Sequence, residues 1–165
     1  MKPKIYIDGS EGTTGLRIFE RVGCRDDIEI LTIDPALRKD VDERKKLINQ
    51  SDVTFLCLPD AAAIEAVSFL KNDKTAIIDT STAHRTNSDW AYGFPEVGNR
   101  YDRIASSKLI ANPGCHASGF IALVTPLVEN GILGRDTALS CFSLTGYSGG
   151  GKQMIADYES AEKSP

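Results

Sequence analysis

The sequence predicts an α/β fold built on an open parallel sheet, and three observations carry that expectation. Strand-like and helix-like stretches alternate through the first eighty residues. One strand, Val53-Thr54-Phe55-Leu56-Cys57-Leu58, is continuously apolar, as strands covered on both faces are. A glycine loop, Gly9-Ser10-Glu11-Gly12-Thr13-Thr14-Gly15, follows the first strand and opens a helix.

The elements follow in order. Lys4-Ile5-Tyr6-Ile7-Asp8 is a short strand, and Leu16, Ile18, Phe19 and Val22 give the next segment a helical face that stops at Gly23. Residues 28–33 form a second strand ending at Asp34-Pro35, and a charged helix is expected over residues 37–49. After the apolar strand, Pro59-Asp60 starts a helix carrying Ile64, Val67 and Leu70, with Asp60 as its N-cap. Residues 75–79 form another strand. Residues 80–103 crowd Ser, Thr, His, Arg, Trp, Tyr, Gly and Pro without periodicity, and a long irregular stretch of this kind more often carries function than filler. A short strand at 108–111 precedes a helix with the stripe Phe120, Leu123, Val124, Leu127 and Val128, kinked at Pro126. Residues 137–145 read as a strand, residues 146–151 as a second glycine loop, and residues 152–161 as a helix. A lone strand needs partners, so the last fifty residues are expected to begin a second domain. The expected division is a Rossmann-type nucleotide-binding domain over residues 1–114 and the start of an α+β catalytic domain, truncated, over 115–165.

Composition narrows the function. With 165 residues, 41% hydrophobic and 25% charged, the chain reads as an ordinary globular protein. A net charge of -4 and a pI near 5.2 weigh against non-specific nucleic-acid binding. No apolar run reaches membrane-spanning length, and the N-terminus enters a strand with no charged-then-apolar leader, so a cytoplasmic protein is expected. The cysteines, Cys24, Cys57, Cys115 and Cys141, form no CxxC pair, and the chain has only His84 and His116, so neither a metal site nor disulfides are expected. Cys57 and Cys141 lie in apolar patterns and read as small buried residues.

Cys115 is different. It sits in Asn112-Pro113-Gly114-Cys115-His116, where a Pro-Gly turn feeds a helix. A thiol at a helix N-terminus stands in the positive end of the dipole, where a thiolate is favoured. The glycine loop supplies backbone amides for a pyrophosphate. Its GxxGxxG spacing departs from the commoner GxGxxG, and a plain tight turn is the alternative. At the end of the second strand, Asp34 is where an NAD enzyme holds the ribose hydroxyls, while Arg38 and Lys39 offer a grip for a 2′-phosphate. A thiol nucleophile beside a nucleotide points to chemistry on an acyl group. Arg85 suits a planar, bidentate contact with an anion. His84 and His116 are expected to pack or face solvent rather than act as bases, and Trp90 and Tyr92 either wall the site or anchor the loop.

The motifs GSEGTTG, CLPD, DTSTAHR, YGFPE, NPGC and GYSGGGK occur in this order. As a set, covering the whole chain, they resemble the N-acetyl-γ-glutamyl-phosphate reductases, particularly the shorter of two sequence types. That family is similar to aspartate-semialdehyde dehydrogenase in fold and chemistry. The resemblance implies NADPH-dependent reduction of the acyl phosphate to N-acetylglutamate 5-semialdehyde and phosphate in arginine biosynthesis, with Cys115 as nucleophile. It implies substrate contacts from Arg85, Ser81, Asn112 and Lys152. It implies cofactor contacts from Gly9, Gly12, Thr13, Thr14, Gly15, Arg38, Lys39, Leu58, Pro59, Ser148 and Gly149. It also implies a homo-oligomer acting on a small molecule, a longer chain with a histidine acid/base beyond Pro165, and a last nucleotide-domain helix from the far C-terminus. Two alternatives stand beside it: an aspartate-semialdehyde dehydrogenase-like enzyme, against which Gly114 and His116 around the cysteine argue, and a non-catalytic nucleotide-binding fragment.

Overall fold

The computed structural model describes residues 1–98 and 100–160. Its ordered strands are β1 (Lys4–Asp8), β2 (Glu29–Leu31), β3 (Val53–Leu56), β4 (Ala76–Asp79), β5 (Ala91–Tyr92) and β6 (Leu109–Ala111). All pair in parallel, in the order β2-β1-β3-β4-β6-β5. The chain crosses from β1 outward to β2 and then back past β1 to β3. Its switch point therefore lies between β1 and β3, where open α/β sheets bind ligands beyond the carboxyl ends of their strands.

Helices α1 (Thr13–Gly23), α2 (Val41–Gln50), α3 (Asp60–Ser68) and α4 (Arg100–Ser106) connect these strands. Tyr6, Leu47, Ile48, Leu56, Ala63, Ala66, Phe69, Ile77, Trp90 and Ala111 form the core. The charged helix expected over 37–49 is broken in two by its own capping residues. Asp34 accepts from the Ala36 amide at 2.8 Å and starts a short 3₁₀ turn at Pro35–Leu37. Asp40 accepts from the Glu43 amide at 2.8 Å and starts α2.

The register explains why the motifs recur in their order. Asp8 pairs with Leu56, Leu56 with Asp79, and Asp79 with Ala111, so these residues lie in one row across the sheet. Tyr92 of β5 pairs with Ala111 as well. The glycine loop, Cys57-Leu58-Pro59, the Thr80–Arg85 segment, Gly93 and the cysteine turn all leave the sheet just beyond that row. Five separate stretches of sequence thus meet at one carboxyl edge.

The chain divides into two compact units, Met1–Ser118 and Gly119–Pro165. Helix α5 (Cys115–Glu129) starts in the first and carries Pro126 within it. It ends in a Schellman arrangement: Gly131 at φ +69° donates to Val128 and Ile132 donates to Leu127 at 2.9 Å. The second unit also holds a 3₁₀ turn, Tyr147–Gly150, and α6 (Gly151–Glu159). Residues 137–145, expected as a strand, pair with no strand among the described residues. Their apolar Phe142 and Leu144 are exposed, and Cys141 is exposed rather than buried. Strand propensity without a ladder partner does not make a strand.

Candidate active site

The first turn of the site is made almost wholly of backbone. Gly9 holds φ +84°, and a Cβ there would strike the Cys57 carbonyl oxygen and reach the Leu58 side chain. A Cβ on Gly15 would strike the Gly9 carbonyl oxygen, and one on Gly12 would sit 3.3 Å from that oxygen. The Gly12 amide donates to Gly9 O at 3.0 Å, and α1 starts from Gly12 with no side-chain cap. The result is a loop whose close approaches fall at glycines, backed by a helix start without a capping side chain. These features fit a dinucleotide pyrophosphate. Leu58 borders the loop, and Pro59 precedes α3, accepting the Ala63 amide at 2.9 Å. Thr13 and Thr14 are exposed on the first turn of α1.

Behind this loop lies a buried ion pair that the sequence patterns did not reveal. Arg44 of α2 donates from Nε and Nη2 to Asp8 Oδ2 at 3.1 and 3.0 Å, and from Nη1 to Glu65 at 3.4 Å. Its guanidinium lies over the Phe69 ring, 5.3 Å from the centroid. Burial pushes the Asp8 carboxyl above its ordinary pKa, and the arginine only partly offsets this. Beside the loop, Arg38 pairs with Glu11 of the glycine loop itself, both exposed. Asp34 is turned to cap the 3₁₀ turn, and Lys39 is exposed nearby in sequence.

The second turn carries the cysteine. Cys115 is the first residue of α5 and is exposed. The Ser118 amide and hydroxyl both donate to Gly114 O at 2.9 Å, so Gly114 caps the helix with its carbonyl. Arg85 reaches across from the loop after β4. Its Nε donates to Asn112 O and its Nη2 to Thr80 O, each at 3.0 Å. The YGFPE motif abuts the same turn: Gly93 donates to Ala111 O at 2.8 Å, and a Cβ there would sit 3.5 Å from Pro113 Cδ. Asn112, exposed, donates from Nδ2 to Pro113 O at 3.2 Å.

The loop that carries Arg85 is anchored at two points. Asp79, fully buried, accepts from the Ser81 amide at 2.9 Å, the Ser81 hydroxyl at 2.7 Å and His84 Nδ1 at 2.7 Å. His84 stacks on Trp90 with centroids 4.0 Å apart, and Trp90 sits in the core. Both rings therefore anchor the loop. Asp60, at the start of α3, accepts from the Thr82 amide and hydroxyl rather than from its own helix. These bonds hold its carboxyl below the usual range. Asp79 carried a legible signal, since an Asp two residues before a Ser is an Asx-turn pattern; Arg44 became visible only as a cross-element partner, and Asp60, expected as an N-cap, follows the cap Pro59 and serves Thr82 instead. The four cysteines are free, and burial pushes the Cys57 thiol up to about 11.

Ser148, Gly149 and Lys152 belong to the second unit. Gly149 donates to Gly146 O at 2.8 Å inside the 3₁₀ turn, and Lys152 lies in α6. The side chains of Ser148 and Lys152 lie outside the described part of the structure. No group of three or more metal-ligating side chains occurs among the described residues, and no described helix is long and apolar enough to cross a membrane.

A parallel sheet with a glycine loop closely packed at its switch point marks a dinucleotide-binding α/β domain, and this one presents a cysteine on the same edge. Residues 5–106 match the family described as semialdehyde dehydrogenase, NAD binding domain, and the chain belongs to that family. It is 50% identical over 160 residues to N-acetyl-gamma-glutamyl-phosphate reductase 2 of Nostoc sp. (strain PCC 7120), a match over 96% of this chain and 50% of that protein. To the N-acetyl-gamma-glutamyl-phosphate reductase of Brucella anthropi it is 52% identical over 161 residues, 96% of this chain and 52% of the relative. The chain spans about half the length of the curated relatives it matches. Among solved structures, aspartate semialdehyde dehydrogenase II of Vibrio cholerae, complexed with ASA, superposes with a TM-score of 0.65 at 15% identity, covering 95% of this chain and 50% of that one. The Candida albicans aspartate semialdehyde dehydrogenase with NADP gives 0.59 at 18%, covering 79% of this chain and 48% of that one. At such identities the two structures speak for the fold alone.

Proposed function

We propose that the protein reduces N-acetyl-γ-glutamyl phosphate to N-acetylglutamate 5-semialdehyde with NADPH, through a thioester on Cys115, as a cytoplasmic homo-oligomer in arginine biosynthesis. The observation that supports this best is the exposed Cys115 at the first position of α5, on the same sheet edge as the glycine loop. Relatives half identical over nearly the whole chain carry the reductase name, which favours it over the aspartate-semialdehyde reading.

The Cys115 thiolate attacks the acyl carbon, a carbon–sulfur bond forms, the carbon–oxygen bond of the mixed anhydride breaks, and phosphate leaves with that electron pair. The positive end of the α5 dipole, where Cys115 stands, favours the developing oxyanion. A reduced nicotinamide dinucleotide, held at the glycine loop of Gly9, Gly12 and Gly15, would supply the hydride that the thioester carbon needs to reach the aldehyde level. Sulfur then leaves the carbon as thiolate, restoring Cys115. Arg85 and Asn112 border the cysteine turn and, with Ser81 and Lys152, are assigned to the substrate. Gly9, Gly12, Gly15, Thr13, Thr14, Leu58 and Pro59 are assigned to the cofactor, joined by Ser148 and Gly149. NADP rather than NAD is favoured because Asp34 is occupied as a cap, while Lys39 and Arg38, the latter in an exposed pair with Glu11, lie at the surface where a 2′-phosphate could draw them.

The complete gene product, mixed with N-acetylglutamate 5-semialdehyde, inorganic phosphate and NADP, is expected to reduce NADP only when phosphate is present. Cys115→Ser is expected to lose at least a thousandfold in turnover. NADP reduction that continues without phosphate contradicts the acyl-phosphate assignment.

A further inference from the structure

The turn that delivers Cys115 is held by a side chain from another strand's loop. Asp79 and Ala111 are the last paired residues of β4 and β6. The carbonyls of Thr80 and Asn112 lie one residue further on, where the ladder supplies no donors. Arg85 supplies both, through Nε to Asn112 and Nη2 to Thr80. Its own loop is braced by Asp79 on one side and Asp60 on the other. The guanidinium thus bridges two strand ends with a rigid planar fork.

Gly114 completes the arrangement. Its φ is not among the positive values, so its backbone is one that any residue adopts. What excludes a side chain is the arginine: a Cβ at 114 would lie 2.6 Å from Arg85 Nη1 and 3.3 Å from Cζ. A guanidinium is a flexible end and is able to swing away, but here it must release two hydrogen bonds to do so. Gly114 is also the residue whose carbonyl receives the first bond of α5. Any shift in it moves the start of the helix, and with it Cys115.

We propose that Arg85 is a positioning residue for Cys115, stapling the ends of β4 and β6, and that glycine stands at 114 as the seat for its guanidinium. The functional part of this rests on Cys115 being the nucleophile; the steric part does not.

A double-mutant cycle tests it, with Gly114→Ala, Arg85→Ala and the pair, read by urea midpoint and by the iodoacetamide rate of Cys115 resolved by peptide mass spectrometry. Each single variant is expected to lower the midpoint and slow Cys115 about tenfold. The pair is expected to be no slower than the worse single variant, since without the guanidinium the added methyl loses its three nearest obstructions. Arg85→Lys keeps the charge but not the fork, and is expected to behave like Arg85→Ala in the rate. Independent effects, with the pair about a hundredfold slow, overturn the proposal, and so does an Arg85→Lys whose Cys115 reacts at the unmodified rate. Coupling in the midpoint alone, with the rates unmoved, reduces Arg85 to a structural residue and overturns the positioning role. A Cys115 that is slow in the unmodified protein while the midpoint coupling holds breaks the nucleophile reading and leaves the staple standing.

Discussion

Two strand-to-helix turns leave the same sheet edge, and both require glycine, but for different reasons. In the loop after β1 the obstruction is backbone: the Cys57 and Gly9 carbonyl oxygens occupy the places where Cβ atoms would go. In the turn after β6 it is the Arg85 guanidinium. The Gly9 and Cys57 carbonyls sit one residue past β1 and β3, with the Cys57 amide bonded to Asp8 O and the Gly9 carbonyl to the Gly12 amide, whereas a side chain moves when its hydrogen bonds are released. The nucleotide turn is therefore built to be rigid, and the cysteine turn to be set by a removable part.

The supports behind the turns differ in kind as well. Asp8, ahead of the glycine loop, is buried against the Arg44 cation. Asp79, ahead of the arginine loop, is satisfied by an amide, a hydroxyl and an imidazole. The largest expected effect follows from the first. Arg44→Ala leaves the Asp8 carboxylate buried without its partner and is expected to cost about 3–5 kcal/mol in urea unfolding. A loss below about 1 kcal/mol would show that the carboxylate finds water and that the two supports are not different in kind.

Gly9→Ala comes next. It forces a side chain into φ +84° and against the Cys57 carbonyl, for about 1–3 kcal/mol of backbone strain alone. Truncating Leu58 to Ala is expected to recover none of that loss, unlike the recovery expected at Gly114. Full recovery would erase the contrast between the turns.

The cysteines at the same edge should separate in the same way. Cys57, pushed up to about 11 by burial, is expected to resist iodoacetamide at neutral pH. Its thiolate fraction rises tenfold per pH step below that value, so its rate should climb steeply only in the alkaline range. A Cys57 that reacts at pH 7 as fast as Cys115 would mean that the loop against Gly9 opens freely.

The smallest effect concerns the rim of the nucleotide turn. Glu11 holds Arg38, and an exposed pair of this kind is worth about 0.2–1 kcal/mol. Glu11→Gln is expected to tighten NADP up to about fivefold, leaving NAD unchanged. Equal changes for both cofactors would remove Arg38 from the 2′-phosphate and weaken the NADP assignment.

Much of this was legible in the order of residues. The alternation of strands and helices, the apolar β3, the loop opening α1 and the cysteine opening α5 all follow from local chemistry: period, glycine and proline placement, and capping. Local chemistry misled where the outcome depended on a partner. Residues 137–145 have strand propensity, yet no described strand pairs with them. Trp90 read equally well as a site wall or a loop anchor, and its stacking on His84, which bonds Asp79, makes it an anchor.

The sequence by itself determined which elements form, where the two turns fall and which thiol opens a helix, because each depends on residues within a few positions of one another. Only the tertiary structure decided what each turn is held by. Arg44 reaches Asp8 from 36 residues away, and Arg85 reaches Asn112 from 27. The parallel register brings those residues to one edge. A bond across such separations is fixed by how strands align, and no pattern of neighbours along the chain records it.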